Sequence, residues 1–78
     1  MKRGWYLVYE RYQKNQHSET QTIYFHLGSA KSGGEAVRTG QNLWPRIRNR
    51  VDNQTWILEN PSVAFMIPID TQGTSIGL

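Results

Sequence analysis

The groups with the most chemical reach in this 78-residue chain are three closely spaced arginines in WPRIRNR, Arg46, Arg48 and Arg50, and the ring-rich run GWYLVYERY at residues 4–12. A guanidinium offers a fixed fork of donors that matches a carboxylate or a phosphate. Tyrosine and histidine rings on a strand can stack on nucleobases or fill the centre of a protein interface. A catalytic set is missing from the pattern. There is no cysteine, no HExxH, no Gly-x-Ser-x-Gly and no pair of acids at short spacing, and His17 and His26 fall in a polar segment and a strand respectively. The expectation is a binding protein, not an enzyme, with no cofactor and no metal.

Each candidate group has a plainer reading beside the functional one. On a helix centred on Ile47, Arg46 and Arg50 lie to one side of the apolar stripe and Arg48 to the other. Their charges can complement the negative end of the helix, contact a phosphate backbone, or meet an acidic protein face. GSAKSGG follows a strand and opens a helix, yet its order does not fit GxxxxGK[ST]. The N–H groups at Gly33 and Gly34, beside Lys31, could hold an anion, whereas the plainer reading is a loop capped by Ser32.

The elements that must position these groups follow from periodicity. In the first strand Trp5, Leu7 and Tyr9 share one face and Tyr6, Val8 and Tyr12 the other, so neither face is polar. QKNQHSETQ reads as a long hairpin loop, and TIYFHLG as a second strand with Ile23, Phe25 and Leu27 on one face and Thr22, Tyr24 and His26 on the other. Ser32 with Glu35 fits a capping box, Gly40 can end a helix and Asn42 can cap another containing Pro45 in its first turn. A broken or kinked helical segment is therefore expected from about Gly33 to Val51, seated by Leu43, Ile47 and Val51 with Val37 and Trp44 nearby. Asn60, Pro61 and Ser62 read as a turn between two further strands, and Pro68 marks the last strand as an edge.

The predicted fold is α+β: a four-stranded antiparallel sheet in the order ββαββ with the helical segment on one face. Residues 1–70 form the single domain and 71–78 a frayed tail. Helix on one side leaves the other side of the sheet bare, with Tyr24, His26 and at least two first-strand rings upon it. That is more apolar surface than a monomer normally leaves in water. A self-associated pair joined face to face or edge to edge, another protein, or stacked bases could cover it; a different register could instead bury the rings.

Charge is unevenly spread. Residues 1–50 carry nine Lys and Arg against three acids, giving +6, and residues 51–78 carry three acids and no base, giving −3, for the net +3 of the whole chain. Such lopsidedness steers a protein toward a polyanion or an acidic face, or orients a self-associated pair. No run approaches the length of a membrane span and no signal-like cleavage region follows the first residues, so a cytoplasmic protein is expected, in the host cytoplasm if phage-encoded. The Asn53-Gln54-Thr55 sequon then has no consequence.

The small size, the absence of cysteine, the order of two strands, helix and two strands, and the ending TWILENPSVAFMIPI resemble the small phage-encoded anti-CRISPR proteins that inhibit type I CRISPR surveillance complexes. The resemblance covers the order of elements over most of the chain and, in residues, this last stretch. No catalytic or binding motif lies within it, so it assigns no residue a role. It implies a non-enzymatic phage inhibitor that binds a ribonucleoprotein and blocks target DNA recognition or nuclease recruitment, its basic half touching guide RNA or an acidic subunit.

The leading expectation is thus a phage or mobile-element protein that occupies a surface of a host protein or ribonucleoprotein complex, through Tyr6, Tyr12, Tyr24, His26, Arg46, Arg48 and Arg50. The alternative is a small single-stranded nucleic-acid-binding or regulatory protein that stacks bases on the sheet rings and holds phosphates with the three arginines. A homodimer whose interface hides the second sheet face is the third.

Overall fold

The computed structural model describes residues 2–28, 30–52 and 54–67. Three strands and one helix follow in the order ββαβ: β1 (Gly4–Gln13), β2 (Gln16–His26), α1 (Gly33–Asn49) and β3 (Trp56–Met66). The sheet order is β2-β1-β3 and both pairings are antiparallel. The strand with apolar residues on both faces therefore occupies the centre. Tyr6, Leu7 and Tyr9 of β1 are buried, Leu7 leaving only 1% of its surface exposed.

The α+β class is as expected, but the fourth strand is not present among the described residues. Asn60, Pro61 and Ser62 do not turn the chain. Asn60 adopts φ 56°, a left-handed conformation, and the β1–β3 register shifts between Val8 and Glu10, so β3 runs on through a bulge. The Asn60 amide donates to Glu10 Oε1 at 2.8 Å, tying the bulge to β1. Pro61 has no N–H to offer a ladder, which an edge strand with a bulge tolerates. Turn-forming residues and bulge-forming residues are the same residues, hence the misreading. Pro68 and the tail at 71–78 lie outside the described residues.

The long loop expected at residues 13–21 is instead a tight turn at Lys14 and Asn15, with Gln13 opposite Gln16 and an irregularity in register between that pair and Arg11 opposite Gln21. Backbone pairing needs no apolar side chain, so the polar residues of β2 join the sheet while staying exposed. The Lys14 N–H also donates to the Thr55 carbonyl at 2.8 Å, anchoring the turn beside the start of β3.

The helix is continuous from Gly33 to Asn49, where a broken or kinked segment to Val51 was expected. Ser32 caps it, accepting the Glu35 N–H at 3.2 Å, and Glu35 Oε2 in turn accepts the Lys31 N–H at 2.8 Å. Gly40 does not terminate the helix but is buried against the sheet. A Cβ there would stand 2.7 Å from Val63 Cγ2 and 3.6 Å from Leu7 Cδ1. Gly33 meets Trp5 in the same way, at 3.2 Å. With buried Ala36 between them, these small residues at spacings of three and four let the helix backbone approach the sheet. The seat expected from Leu43, Ile47 and Val51 is thus shifted: Val51 lies beyond the Arg50 cap, and Val37 stays 40% exposed. Pro45 sits in the helix interior, leaving the Gln41 carbonyl without an i+4 donor.

α1 covers β1 and β3 but does not reach β2. The core lies between α1 and the Trp5-Leu7-Tyr9 row, with Val63 and Phe65 of β3 beside it in register. Trp5 meets Phe65 edge-on at 5.2 Å, and Tyr9 meets Trp44 of the helix at 5.1 Å.

Candidate functional site

The face turned away from the helix is set by the ladder. Tyr6 stands opposite His26 and Ala64, Val8 opposite Tyr24 and Ser62, and Glu10 opposite Thr22 and Glu59. Tyr12 follows, opposite Ile57. The four ring-bearing residues expected to share a surface, Tyr6, Tyr12, Tyr24 and His26, do share this face of the sheet.

They do not share one environment. Tyr6 is buried, its hydroxyl donating to the Lys2 carbonyl and its ring edge-on to His26 at 4.9 Å. It therefore backs His26 and presents little surface of its own. His26 is exposed, and its Nδ1 accepts the Gly28 N–H at 3.3 Å. Gly4, with φ 145°, leaves room for that imidazole: a Cβ at Gly4 would stand 3.1 Å from Nε2. Tyr24 is 45% exposed, the most open large apolar side chain on this face.

The far end of the face is acidic. Glu10 and Glu59 are register partners, and Tyr12, half-buried, packs on the ring of His17 at 4.6 Å. Partial removal from water, and then the Glu59 carboxylate, which also accepts a hydrogen bond from the hydroxyl, push the Tyr12 phenol above its ordinary value, with a further push from Glu10. One end of the face thus offers rings and the other offers negative charge.

Arg46, Arg48 and Arg50 lie elsewhere. All three are exposed at the C-terminal end of α1, the layer on the other side of the sheet. Arg46 borders Thr39, Asn42 and Leu43, and Arg48 lies near Trp56 and Leu58. The expected set is therefore split into a sheet face and a helix end, with the sheet between them. The anion reading of the Gly33–Gly34 N-terminus meets an obstacle as well, since the Glu35 carboxylate already stands at the Lys31 N–H and Ser32 Oγ takes the Glu35 N–H.

Three features were not singled out by sequence reading. An apolar groove of about 250 Å³ runs between the helix and the bulged part of β3, lined by Val37, Gly40, Trp44, Pro61 and Val63. Arg11, on the helix side, holds its guanidinium 4.9 Å over the Trp56 ring and donates to Gln21 at 2.7 Å. Phe25 is 43% exposed although it points to the helix side. Alternation placed Phe25 on that side correctly; only the lateral position of the helix leaves it uncovered, and no sequence signal carries that position.

Among the described residues no group of three or more His, Cys, Asp or Glu could hold a metal ion, and no helix is long and apolar enough to cross a membrane. Comparison with protein-family models, with curated proteins and with solved structures returned no match.

Proposed function

We propose that this is a non-enzymatic binding protein that works by occupying a surface of a larger host protein or ribonucleoprotein, and that the sheet face opposite the helix is what it presents. The observation that carries this reading is the exposure of Tyr24 and His26 on a face that no described element of the chain covers. Rings held on a rigid sheet lose little freedom on binding and supply the anchors that dominate interfaces. The acidic end, Glu10 and Glu59, favours a partner with basic groups beside an apolar patch.

The same geometry weighs against stacked nucleic acid. Phosphates following bases across this face would meet two carboxylates, and the three arginines meant to hold them lie behind the sheet. The narrower reading, a phage inhibitor of a type I CRISPR surveillance complex, rests on the resemblance, of which small size, absence of cysteine and the stretch TWILENPSVAFMIPI remain while the order of two strands, helix and two strands gives way to ββαβ.

Mixing the protein with a purified type I surveillance complex tests both levels. The expected result is co-elution and loss of target DNA binding by the complex, with Tyr24→Asp weakening the association at least tenfold, an effect of about 1.4 kcal/mol. Absence of co-elution overturns the inhibitor reading. Co-elution that survives Tyr24→Asp but not Arg46→Ala with Arg50→Ala moves the site to the helix and overturns the choice of face.

A further inference from the structure

The two edges of the sheet are built differently. The β3 edge carries a left-handed bulge at Asn60, a proline at Pro61 and a charge at Glu59, all devices that keep a second chain from pairing there. The β2 edge has none of these from Gln21 to Leu27. That run, QTIYFHL, contains no proline, no glycine and no Lys, Arg, Asp or Glu, and it pairs with β1 without a bulge from Gln21 to His26.

Among the described residues no element covers either side of this edge from Gln21 to His26. The helix does not reach β2, so Phe25 is 43% exposed on the helix side while Tyr24 is 45% exposed on the other. A regular, uncharged edge with exposed apolar groups on both sides is a template for another strand.

We propose that β2 pairs antiparallel with β2 of a second copy, joining two three-stranded sheets into one six-stranded sheet about a two-fold axis at Tyr24. The occupant is a second copy because this run complements itself. Centred on Tyr24, which is the midpoint of Gln21–Leu27, antiparallel pairing sets Phe25 against Ile23 of the other copy on the helix side. On the open side it sets Tyr24 against Tyr24 and His26 against Thr22. No fixed charge opposes another across the seam despite the net +3 of each chain, and the two helices, lying over β1 and β3, stand clear of it. The two open faces become one continuous surface.

This assembly goes beyond the binding reading and fails separately from it, because Phe25 lies on the helix side and takes no part in the proposed binding face. Light scattering from micromolar to millimolar protein is expected to show the mass rising to twice that of one chain, and Phe25→Lys, with circular dichroism unchanged, is expected to hold it at one. The chain has no cysteine, so Tyr24→Cys introduces a single thiol. A short thiol-to-thiol crosslinker should convert Tyr24→Cys to a covalent dimer and leave Ser18→Cys, at the far end of the strand, uncoupled. A wild-type mass of one chain at millimolar concentration overturns the proposal, as does a doubled mass that Phe25→Lys leaves intact. Preferential coupling of Ser18→Cys rejects the stated register.

Discussion

The two faces of this sheet carry nearly the same chemistry in sequence, yet the helix packs on only one of them. Trp5, Leu7 and Tyr9 are roofed by a helix that approaches through Gly33, Ala36 and Gly40, whereas Tyr6, Val8 and Tyr12, one residue out of phase, have no described element above them. The difference lies in the roof and not in the strand. Three small residues on one helix stripe decide which row the helix packs on; in the other row Tyr6 is buried by its neighbours in the sheet and Val8 and Tyr12 are half-buried.

Truncating the roofed face should therefore cost most. Leu7→Ala removes the most deeply buried large side chain and is expected to lower unfolding stability by about 3 kcal/mol, read from urea midpoints. The same readout for Val8→Ala, on the bare face, should move by well under half as much. Equal losses would erase the distinction between the faces.

Gly40→Ala tests the close approach itself. Its Cβ would stand 2.7 Å from Val63 Cγ2, a branched side chain with little freedom to move, so an overpacking cost of about 2 kcal/mol should outweigh the gain of about 1 kcal/mol in helix propensity. A net loss of about 1 kcal/mol is expected; a stabilised variant would place the helix farther from the sheet.

Asn60 sharpens the contrast between the edges. Asn60→Ala forces a Cβ-bearing residue without a compensating side-chain hydrogen bond into φ 56° and should lose about 1 kcal/mol, while Asn60→Gly should be near neutral. Two equal losses would point to the Glu10 hydrogen bond and away from backbone conformation.

The smallest effect concerns the acidic end of the bare face. The Tyr12 phenol is raised in the folded state, so the native protein holds that proton to higher pH than the unfolded chain. Its contribution to stability is present below about pH 10 and declines as pH climbs from there through the folded value. Ultraviolet titration should show the Tyr12 phenol ionising above its ordinary range in the native protein, and Glu59→Gln should bring that step down. The turn at Asp52 behaves with the opposite sign. Hydrogen bonds from Thr55 Oγ1 and the Gln54 N–H hold its carboxyl below the ordinary range, so its support is complete above about pH 4 and fades as pH falls through the lower folded value.

Much of this was legible in the residues. Alternation assigned the rings of β1 and those of Tyr24, Phe25 and His26 to rows, and the Ser32–Glu35 pair located the start of the helix, while His17, read into a loop, falls in β2. Glycine and proline were harder to read because each has two uses. Gly40 ends a helix by its freedom or admits a neighbour by its lack of a Cβ, and only the presence of Val63 above it decides. Asn60 and Pro61 serve a turn or a bulge alike, and pairing with β1 on both sides of them favours the bulge. The split of the candidate site was implicit in the same reading, since a helix on one face and Tyr24 and His26 on the other already set Arg46, Arg48 and Arg50 apart from the rings.

Solvent exposure of individual rings is the most direct test of the bare face. With a soluble paramagnetic probe added to dilute protein, ring-proton resonances of Tyr24 and His26 should broaden strongly and those of Tyr6 and Tyr9 should remain sharp. Tyr24 protected to the same degree as Tyr9 would mean that the chain roofs both sides of its own sheet, and the proposed binding surface would be gone.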